Sequence, residues 1–347
     1  MILLFYLKKH KIKTVGLLIL LLFYAFCLPK ELFNKPTATV IESSEGVLLG
    51  AQIASDGQWR FPKSDSVPAK FKQCIIQFED AYFYQHPGFN PISIFKALKS
   101  NINKGSVVRG GSTITQQVIR LSRDGKSRTY FEKLKELILA TRLEISTSKD
   151  AILNYYASNA PFGGNVVGID VASWRYFGVQ PYQLSWAESA TLAVLPNAPS
   201  LIYPGKNQLK LVKKRNRLLH KLCQQKIIDT LTYQLAIQEL LPQKPFPLPQ
   251  IAPHLLQKIA KSNKGERIKT SIKLSAQESI NAIVKQHHSI LKQNEVHNMA
   301  VLVLDVNTKK VLSYVGNTPT TKENQKDVNI IDAPRSTGSV LKPLLYM

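Results

Sequence analysis

The sequence contains little cysteine and little negative charge. Three cysteines, Cys27, Cys74 and Cys223, occur in 347 residues. So few cysteines, so widely spaced, exclude a disulfide framework, and none has the spacing of metal ligands. Acidic residues number 23 against 46 basic ones, which gives a net charge of +23. That excess predicts an anionic partner, which is a nucleic acid, an acidic membrane surface or a phosphorylated substrate.

Long hydrophobic runs are also scarce. The most apolar run, residues 14–29, is short for a bilayer span of about 20 residues. Lysines precede it between residues 8 and 13, and such flanking lysines can extend a short span by reaching the interface. The run therefore predicts an uncleaved single-pass anchor, with the basic start in the cytoplasm and the bulk of the chain outside. A cleaved signal peptide is the alternative, although residues 23–28 lack a small-x-small cleavage pattern.

The middle of the chain has the periodicity of helices, whereas both flanks contain strand patterns. Residues 37–41 and 46–50 can pair as strands, and residues 298–306 and 310–315 are typical of a hairpin. Five prolines between residues 242 and 253 predict a linker. The expected divisions are residues 1–30 (basic segment and transmembrane helix), 31–240 (a helical domain with its core at about 45–220), 241–253 (linker) and 254–347 (a second, incomplete domain).

The most informative stretch begins at Glu79 and Asp80 and ends at a Pro-Gly turn after His86. An apolar run precedes it, so the two carboxylates lie where a buried helix ends. A carboxylate among apolar neighbours has a raised pKa and can act as a base near neutral pH. A helix end with a solvated Glu-Asp pair is an equally good interpretation of this stretch alone.

Two further stretches carry polar side chains at helix positions. Gly111-Ser112-Thr113 predicts a helix start whose backbone N–H groups suit an anion. In the helix that follows, one of Gln116 and Gln117 can face inward while the other faces a cleft. Residues 130–145 predict a second helix with an apolar stripe. Its charged residues are also compatible with an ordinary solvated face.

Five motifs follow one another in a fixed order, which is far more specific than any one of them. They are Glu79-Asp80-x-x-Phe83-x-x-His86-x-Gly88, Gly111-Ser112-Thr113-Ile114-Thr115-Gln116-Gln117, Lys133-x-x-Glu136, Ser148-Lys149-x-x-Ile152-Leu153 and Pro161-Phe162-Gly163-Gly164-Asn165. On these motifs the chain resembles the family 51 glycosyltransferase domain of class A penicillin-binding proteins, most closely their 1C branch. Ser339-x-x-Lys342-Pro343 resembles the acyl-nucleophile motif of their transpeptidase domain.

The resemblance implies a mainly α fold. A lysozyme-like helical glycosyltransferase domain would follow an N-terminal transmembrane helix, and a truncated α+β transpeptidase-like segment would come last. It also implies polymerisation of lipid II into glycan strands at the outer face of the cytoplasmic membrane. The partners are then lipid II, the nascent glycan strand and the membrane, with other cell-wall synthesis proteins left open and nucleic acid not expected.

The resemblance also assigns roles to residues of this chain. Glu79 corresponds to the general base on the acceptor 4-hydroxyl, and Glu136 to a second carboxylate at the donor diphosphate. A divalent metal, Mg²⁺ or Mn²⁺, is left open as a cofactor, with Glu136 as its ligand if one is bound. The residues that correspond to the substrate-binding cleft are Asp80, Phe83, His86, Gly111, Ser112, Thr113, Gln116, Gln117, Arg120, Lys133 and Lys149.

Two departures from the family pattern affect the prediction. Many relatives have arginine where this chain has Glu132, so an anion replaces a cation near the diphosphate. After Ser339 and Lys342, the two later transpeptidase motifs are absent from the sequence. We therefore expect no transpeptidase activity from this chain. The alternative function is a weak or inactive membrane protein that binds lipid II or glycan, and a hydrolase on the same fold is open in principle.

Overall fold

A computed structural model describes residues 11–104, 111–124, 129–334, 336 and 338–345. The predicted basic start of the chain, residues 1–10, lies outside these ranges. The helices in chain order are α1 (Lys11–Ala25), α2 (Ala69–Glu79), α3 (Pro91–Lys104), α4 (Ile114–Ser122), α5 (Tyr130–Ser146), α6 (Lys149–Asn159), α7 (Ile169–Phe177), α8 (Trp186–Val194), α9 (Gln208–Gln224), α10 (Thr230–Gln238), α11 (Pro253–Ser262), α12 (Leu274–Leu291) and α13 (Lys342–Leu345). The strands are β1 (Thr39–Glu42), β2 (Leu48–Gln52), β3 (Trp59–Arg60), β4 (Pro161–Gly163), β5 (Val166–Val167), β6 (Arg267–Lys269), β7 (Val301–Leu304) and β8 (Val311–Val315). The mainly helical prediction is confirmed.

The chain divides into two compact units. The first contains Met1–Pro36 and Asp56–Phe246, and the second contains Thr37–Ser55 and Pro247–Met347. The boundary at residue 246 falls inside the predicted proline-rich linker. Residues 37–55, however, belong to the second unit, whereas the predicted division placed them in the helical domain.

The first unit is a helical bundle with one small sheet. Helix α2 packs on α8, α8 on α9, and α4 packs on both α5 and α6. The sheet has the order β3-β5-β4. Fully buried aromatic and aliphatic side chains, including Phe71, Phe83, Ile119 and Tyr156, fill the spaces between the helices. This core fixes the relative positions of α2, α4, α5 and α6, which carry most of the predicted site.

Helix α5 differs from its prediction in the direction that its apolar side chains face. The predicted stripe includes Phe131, Leu134 and Ile138, which are 63%, 55% and 42% exposed. Of its 17 residues, Glu136, Ala140 and Leu143 are the buried ones. Glu136 is therefore turned towards the core, whereas Phe131, Leu134 and Ile138 lie on the surface and the last member of the predicted stripe, Leu143, is buried. Packing against the core does not explain the exposed apolar side chains, because an ordinary surface helix buries its apolar face.

The second unit is built around a mixed sheet of order β2-β1-β6. Strands β1 and β2 form the predicted antiparallel pair, and β6 joins β1 in parallel. Parallel pairing explains why residues 37–55 belong to this unit, since β1 is the strand on which β6 is hydrogen-bonded. Strands β7 and β8 form the predicted antiparallel hairpin. The core contains Ile41, Leu49, Ala252, Leu256, Ile272 and Tyr314.

Helix α1 covers most of the predicted anchor and is apolar over its surface. The side chains of Leu18, Leu20 and Phe23 are 54%, 68% and 77% exposed. Its C-terminal end contacts α5, because the Tyr24 hydroxyl donates to Thr141 Oγ1 at 3.0 Å. Within the described ranges, no helix combines the length and the apolar character needed to cross a bilayer. The transmembrane anchor stays a prediction.

Candidate active site

Glu79 is the last residue of α2, as the sequence predicts for a carboxylate at the end of a buried helix. Phe71, Cys74, Ile75 and Ile76 bury the inner face of this helix. The carboxylate is partly buried. Gln117 Nε2 donates a hydrogen bond of 2.7 Å to Glu79 Oε2. One oxygen of the carboxylate is thus held by α4 at the point where α2 ends.

Opposing effects act on the pKa of Glu79, and burial is the largest. Burial raises the pKa, whereas the hydrogen bond from Gln117 and the charges of Lys214 and Arg120 lower it, and the charge of Asp80 raises it. The net pKa lies above the ordinary value of 4.5. A carboxylate with a raised pKa is a stronger base than an exposed one, as proton transfer near neutral pH requires.

Asp80 and His86 form a buried pair beside Glu79. His86 Nε2 lies 2.9 Å from Asp80 Oδ2, and the backbone N–H of Gly88 donates to His86 Nδ1 at 3.2 Å. Because Nδ1 accepts, the ring proton is on Nε2 and is donated to Asp80. Asp80 Oδ2 also accepts from the N–H of Ile114, the first residue of α4. The pair therefore fixes the loop after α2 to the start of α4.

The start of α4 has the predicted capping residues. Thr113 is the N-cap and forms a reciprocal capping box with Gln116. Gln116 is consequently buried, while Gln117 reaches Glu79. Gln116 is thus the glutamine that faces inward, and the prediction that the other glutamine faces a cleft stays a prediction. Gly111 is buried and Ser112 is half-buried.

Gly88 fixes the distance between this loop and α5. Its φ is +92°, and a Cβ atom on it would lie 2.8 Å from the carbonyl oxygen of Ala140. Its own carbonyl accepts from Thr113 Oγ1 at 2.7 Å. We expect Gly88→Ala to lower the free energy of unfolding by about 2–3 kcal/mol, because the new methyl group meets backbone and the φ becomes strained. Urea denaturation measures this loss.

Gly178→Ala is the matched control for that loss. Gly178 also has a positive φ, +70°, but a Cβ there would meet nothing within 4 Å. The control should lose about 1 kcal/mol from the backbone alone. Equal losses in the two variants would show that close approach to Ala140 does not matter.

Glu136 is joined to α4 by a two-pronged ion pair. Arg120 Nε and Nη2 donate to Glu136 Oε1 and Oε2, each at 2.7 Å, and Nη2 lies 3.4 Å from Ser112 Oγ. Gln117 and Arg120 are three residues apart, so they lie on one face of α4. That face contacts both Glu79 and Glu136. The two predicted catalytic carboxylates therefore belong to one site.

Glu132, the residue that departs from the family pattern, is paired with a cation of its own. Arg123 Nη2 lies 2.7 Å from Glu132 Oε2, and Lys135 Nζ lies 3.9 Å from Oε1. Arg123 therefore neutralises the unusual anion, while Arg120 is occupied by Glu136. Lys133 is exposed and has no ion-pair partner among the residues that the structure describes.

Lys149 and Phe83 have structural contacts. The Lys149 ammonium donates to the carbonyl of His86 at 2.7 Å and to Glu144 Oε1 at 2.8 Å. It also lies 4.5 Å from the centroid of the Phe83 ring, and Phe83 is fully buried. These contacts, like those of Asp80 and His86, position the loop next to Glu79. Whether the same residues bind substrate stays a prediction.

Two side chains near Glu79 were not predicted from the sequence. The positive charge of Lys214, on α9, lowers the pKa of Glu79. Tyr156, on α6, is buried, and its hydroxyl has no hydrogen-bond partner within the described part of the chain. Burial and the charge of Glu79 raise the pKa of Tyr156. Both residues lie far from Glu79 in sequence, and no motif marks them.

The structure does not favour Glu136 as a metal ligand, because Arg120 occupies both of its carboxylate oxygens. Within the described residues, no group of three or more His, Cys, Asp or Glu side chains is arranged to hold a metal ion.

Ser339 lies in a 3-10 turn and Lys342 begins α13, and both are exposed. This geometry does not test the prediction about transpeptidase activity.

A cavity of about 500 Å³ also occurs in the first unit, and none of the predicted site residues lines it. Its cations are paired, since Lys35 Nζ lies 2.6 Å from Asp124 and Arg60 Nη1 lies 2.9 Å from Asp56. The lining residues are Phe33, Lys35, Asp56, Gln58, Arg60, Leu121, Asn159, Pro161 and Val167.

Comparison with known proteins identifies relatives over most of the chain. Penicillin-binding protein 1C of Escherichia coli K12 is 32% identical over 92% of this chain and 41% of its own length. Penicillin-binding protein 1B of Haemophilus influenzae is 28% identical over 89% of this chain and 42% of its own length. The chain thus spans about two fifths of the length of these relatives.

A solved structure of penicillin-binding protein 1A from Haemophilus influenzae is similar at 17% identity, covering 79% of this chain and 32% of that one, but its TM-score of 0.35 is too low to support any inference. The transglycosylase family model matches residues 46–223, about half of the chain. This matched range contains Glu79, Gln117, Arg120 and Glu136. The chain belongs to the transglycosylase family.

Proposed function

We propose that this chain is a peptidoglycan glycosyltransferase that polymerises lipid II into glycan strands, with Glu79 as the general base. The observation that carries the proposal is the shared face of α4. Gln117 holds Glu79 at 2.7 Å, and one turn later Arg120 holds Glu136 at 2.7 Å. This arrangement supports the proposal, because glycosyl transfer to a hydroxyl requires a base, the proposed role of Glu79, close to charged groups such as Arg120 and Glu136.

The proposed step exchanges one carbon–oxygen bond for another and transfers one proton. The acceptor 4-hydroxyl oxygen attacks the anomeric carbon of the donor, and its proton moves to Glu79. The bond between the anomeric carbon and the diphosphate oxygen breaks, and the diphosphate leaves with the electron pair. Nearby cations stabilise the charge that develops on that oxygen. Lys133 is suited to this role, because it is exposed and has no ion-pair partner in the described ranges.

A position of the chain at the membrane surface suits an anionic, lipid-linked substrate. The apolar side chains of α1 and the stripe of α5 are exposed, and a hydrogen bond joins the two helices through Tyr24 and Thr141. Exposed apolar surface of this kind is typical of membrane contact. The net charge of +23 favours anionic lipid headgroups as well. We propose that the chain acts at the outer face of the cytoplasmic membrane.

This membrane contact can be tested on α1. We expect Leu18→Asp/Leu21→Asp to reduce binding of the full chain to anionic vesicles at least tenfold, because each buried Asp costs about 2.5–3.5 kcal/mol. Flotation with vesicles measures the bound fraction. The control is Leu231→Asp/Leu235→Asp, two exposed leucines of α10, which should bind like the parent. Unchanged binding of the α1 variant would contradict the proposal.

A second candidate function is lipid II binding with weak or no turnover. The observation that favours it is the pairing of cations: Arg120 with Glu136, Arg123 with Glu132 and Lys149 with Glu144. Fewer uncompensated charges are then available to the leaving diphosphate. An assay that follows lipid II consumption and glycan product separates the two functions. Product formation by the purified full chain supports the transferase, whereas binding of lipid II without product supports the second candidate.

A further inference from the structure

Helix α9 passes beside the end of α2. The two helices pack together, and the Lys221 ammonium donates to the backbone carbonyl of Gln77, two residues before Glu79. Lys214 precedes Lys221 by seven residues, which is two helical turns. Both lysines therefore lie on the same face of α9. Through Lys221, this face contacts α2 two residues before Glu79.

Lys214 is held in place on this face. It is half-buried, and its Nζ donates to Asn197 Oδ1 at 3.0 Å. Lys213, the neighbouring residue, is exposed, as expected for a position a hundred degrees further around the helix. The ammonium of the half-buried Lys214 is thus held by the neutral amide of an exposed residue. No carboxylate among the described residues lies within ion-pair distance of its ammonium.

The charged and titratable groups around Glu79 come from several elements. Asp80 follows it in the chain, Arg120 lies on α4, Tyr156 on α6 and Lys214 on α9. Arg120 already compensates Glu136, and Asp80 acts against ionisation of Glu79. Lys214 is the cation in this group that no carboxylate pairs directly. The pKa of Lys214 itself is lowered, because burial and the charge of Arg217 outweigh the charge of Glu79, which raises it.

We propose that Lys214 is a positioning residue that keeps the Glu79 carboxylate ionised and available to accept the proton of the acceptor hydroxyl. This inference rests on the proposed function, because it assigns a partner to the same general base. Gln117 orients the carboxylate from one side, and Lys214 supplies positive charge from α9. The pair would let a partly buried carboxylate remain deprotonated at the pH at which the chain works.

The test is the pH dependence of lipid II polymerisation by the full chain. Lys214→Met should move the acid limb of the rate profile to higher pH by about one unit, because an opposite charge near a carboxylate lowers its pKa. Lys214→Arg should retain the parent profile, since it keeps the charge. Lys213→Met is the matched control and should leave the limb unmoved. An unmoved limb in Lys214→Met, or an equal shift in Lys213→Met, would overturn the inference.

A second readout requires no turnover. Lys214→Met is compared in the parent and in a Glu79→Gln background at pH 8, with Tm as the measure. If the two charges interact, the substitution lowers Tm more in the parent than in the Glu79→Gln background. Equal changes in the two backgrounds would also overturn the inference.

The two proposals can fail separately. Parent-like polymerisation by Glu79→Gln would remove the proposed base itself. An inactive Glu79→Gln variant, together with an unmoved acid limb and equal Tm changes for Lys214→Met, would leave the base in place and remove only the role of Lys214.

Discussion

Glu79→Gln is expected to abolish glycan polymerisation, with a loss of at least about 10²–10⁴-fold, the usual contribution of a general base. Glutamine has nearly the same shape and can still accept the hydrogen bond from Gln117 Nε2. It cannot accept the proton of the acceptor hydroxyl. The substitution therefore removes the chemistry and leaves the geometry. Turnover of lipid II measures the loss, and binding of lipid II should be retained.

The same substitution should make the folded chain more stable near neutral pH. Because the pKa of Glu79 is raised above 4.5 in the folded protein, the folded state holds this proton more tightly than the unfolded chain. Its contribution to stability is full below pH 4.5 and is lost as the pH rises through the raised folded pKa. Glutamine avoids that loss, so we expect a gain of about 1 kcal/mol above this window and little gain below it.

Glu278→Gln is the control for both measurements. Glu278 is an exposed glutamate on α12 in the second unit. Its substitution should leave the polymerisation rate unchanged and should change the free energy of unfolding by no more than about 0.5 kcal/mol. Parent-like turnover by Glu79→Gln would show that another group is the base. Loss of stability together with loss of turnover would indicate that the variant misfolds and that the raised pKa has been misassigned.

Two local features of the candidate site could be predicted from the sequence: the end of α2 at Glu79 and the capped start of α4. The apolar run of α2 ends at Glu79, and the Gly-Ser-Thr start of α4 predicts a helix in which one of two adjacent glutamines faces inward. The capping box in the structure shows that this residue is Gln116. These features depend on spacing within one segment, which periodicity and capping rules describe well.

The partners of the charged residues could not be predicted in the same way. Arg123 pairs with Glu132 because α4 packs on α5, and the charge of Lys214 acts on Glu79 because α9 packs on α2. Contacts between distant segments depend on how the helices are arranged, which a single sequence does not give. The exposure of apolar side chains on α5 could not be predicted for a related reason. The periodicity of the sequence indicates a helix with an apolar face but does not show which face meets the core. The parallel pairing of β1 with β6 likewise joins segments that no local pattern connects.

The second large effect is expected from Arg120→Met. Glu136 is 7% exposed, and both of its oxygens accept from Arg120. Removal of the guanidinium leaves a buried carboxylate without its cation. Breaking such a pair by deleting one partner typically costs about 3–5 kcal/mol, because the remaining charge stays buried and uncompensated. We expect a loss near the lower end, since the Arg120 side chain is 19% exposed, and denaturant unfolding measures it.

The double variant Arg120→Met/Glu136→Gln distinguishes the loss of an ion pair from the loss of packing. If the uncompensated carboxylate causes the instability, removal of its charge should restore more than half of the loss, and the two substitutions should not be additive. Lys258→Met is the control, since Lys258 and Asp332 form an exposed pair, 51% and 44% exposed, worth about 0–1 kcal/mol. A double variant as unstable as Arg120→Met would mean that Arg120 stabilises the fold through its apolar stem. The stability of the fold would then not depend on the ion pair between Arg120 and Glu136. The shared face of α4 would no longer link the two carboxylates.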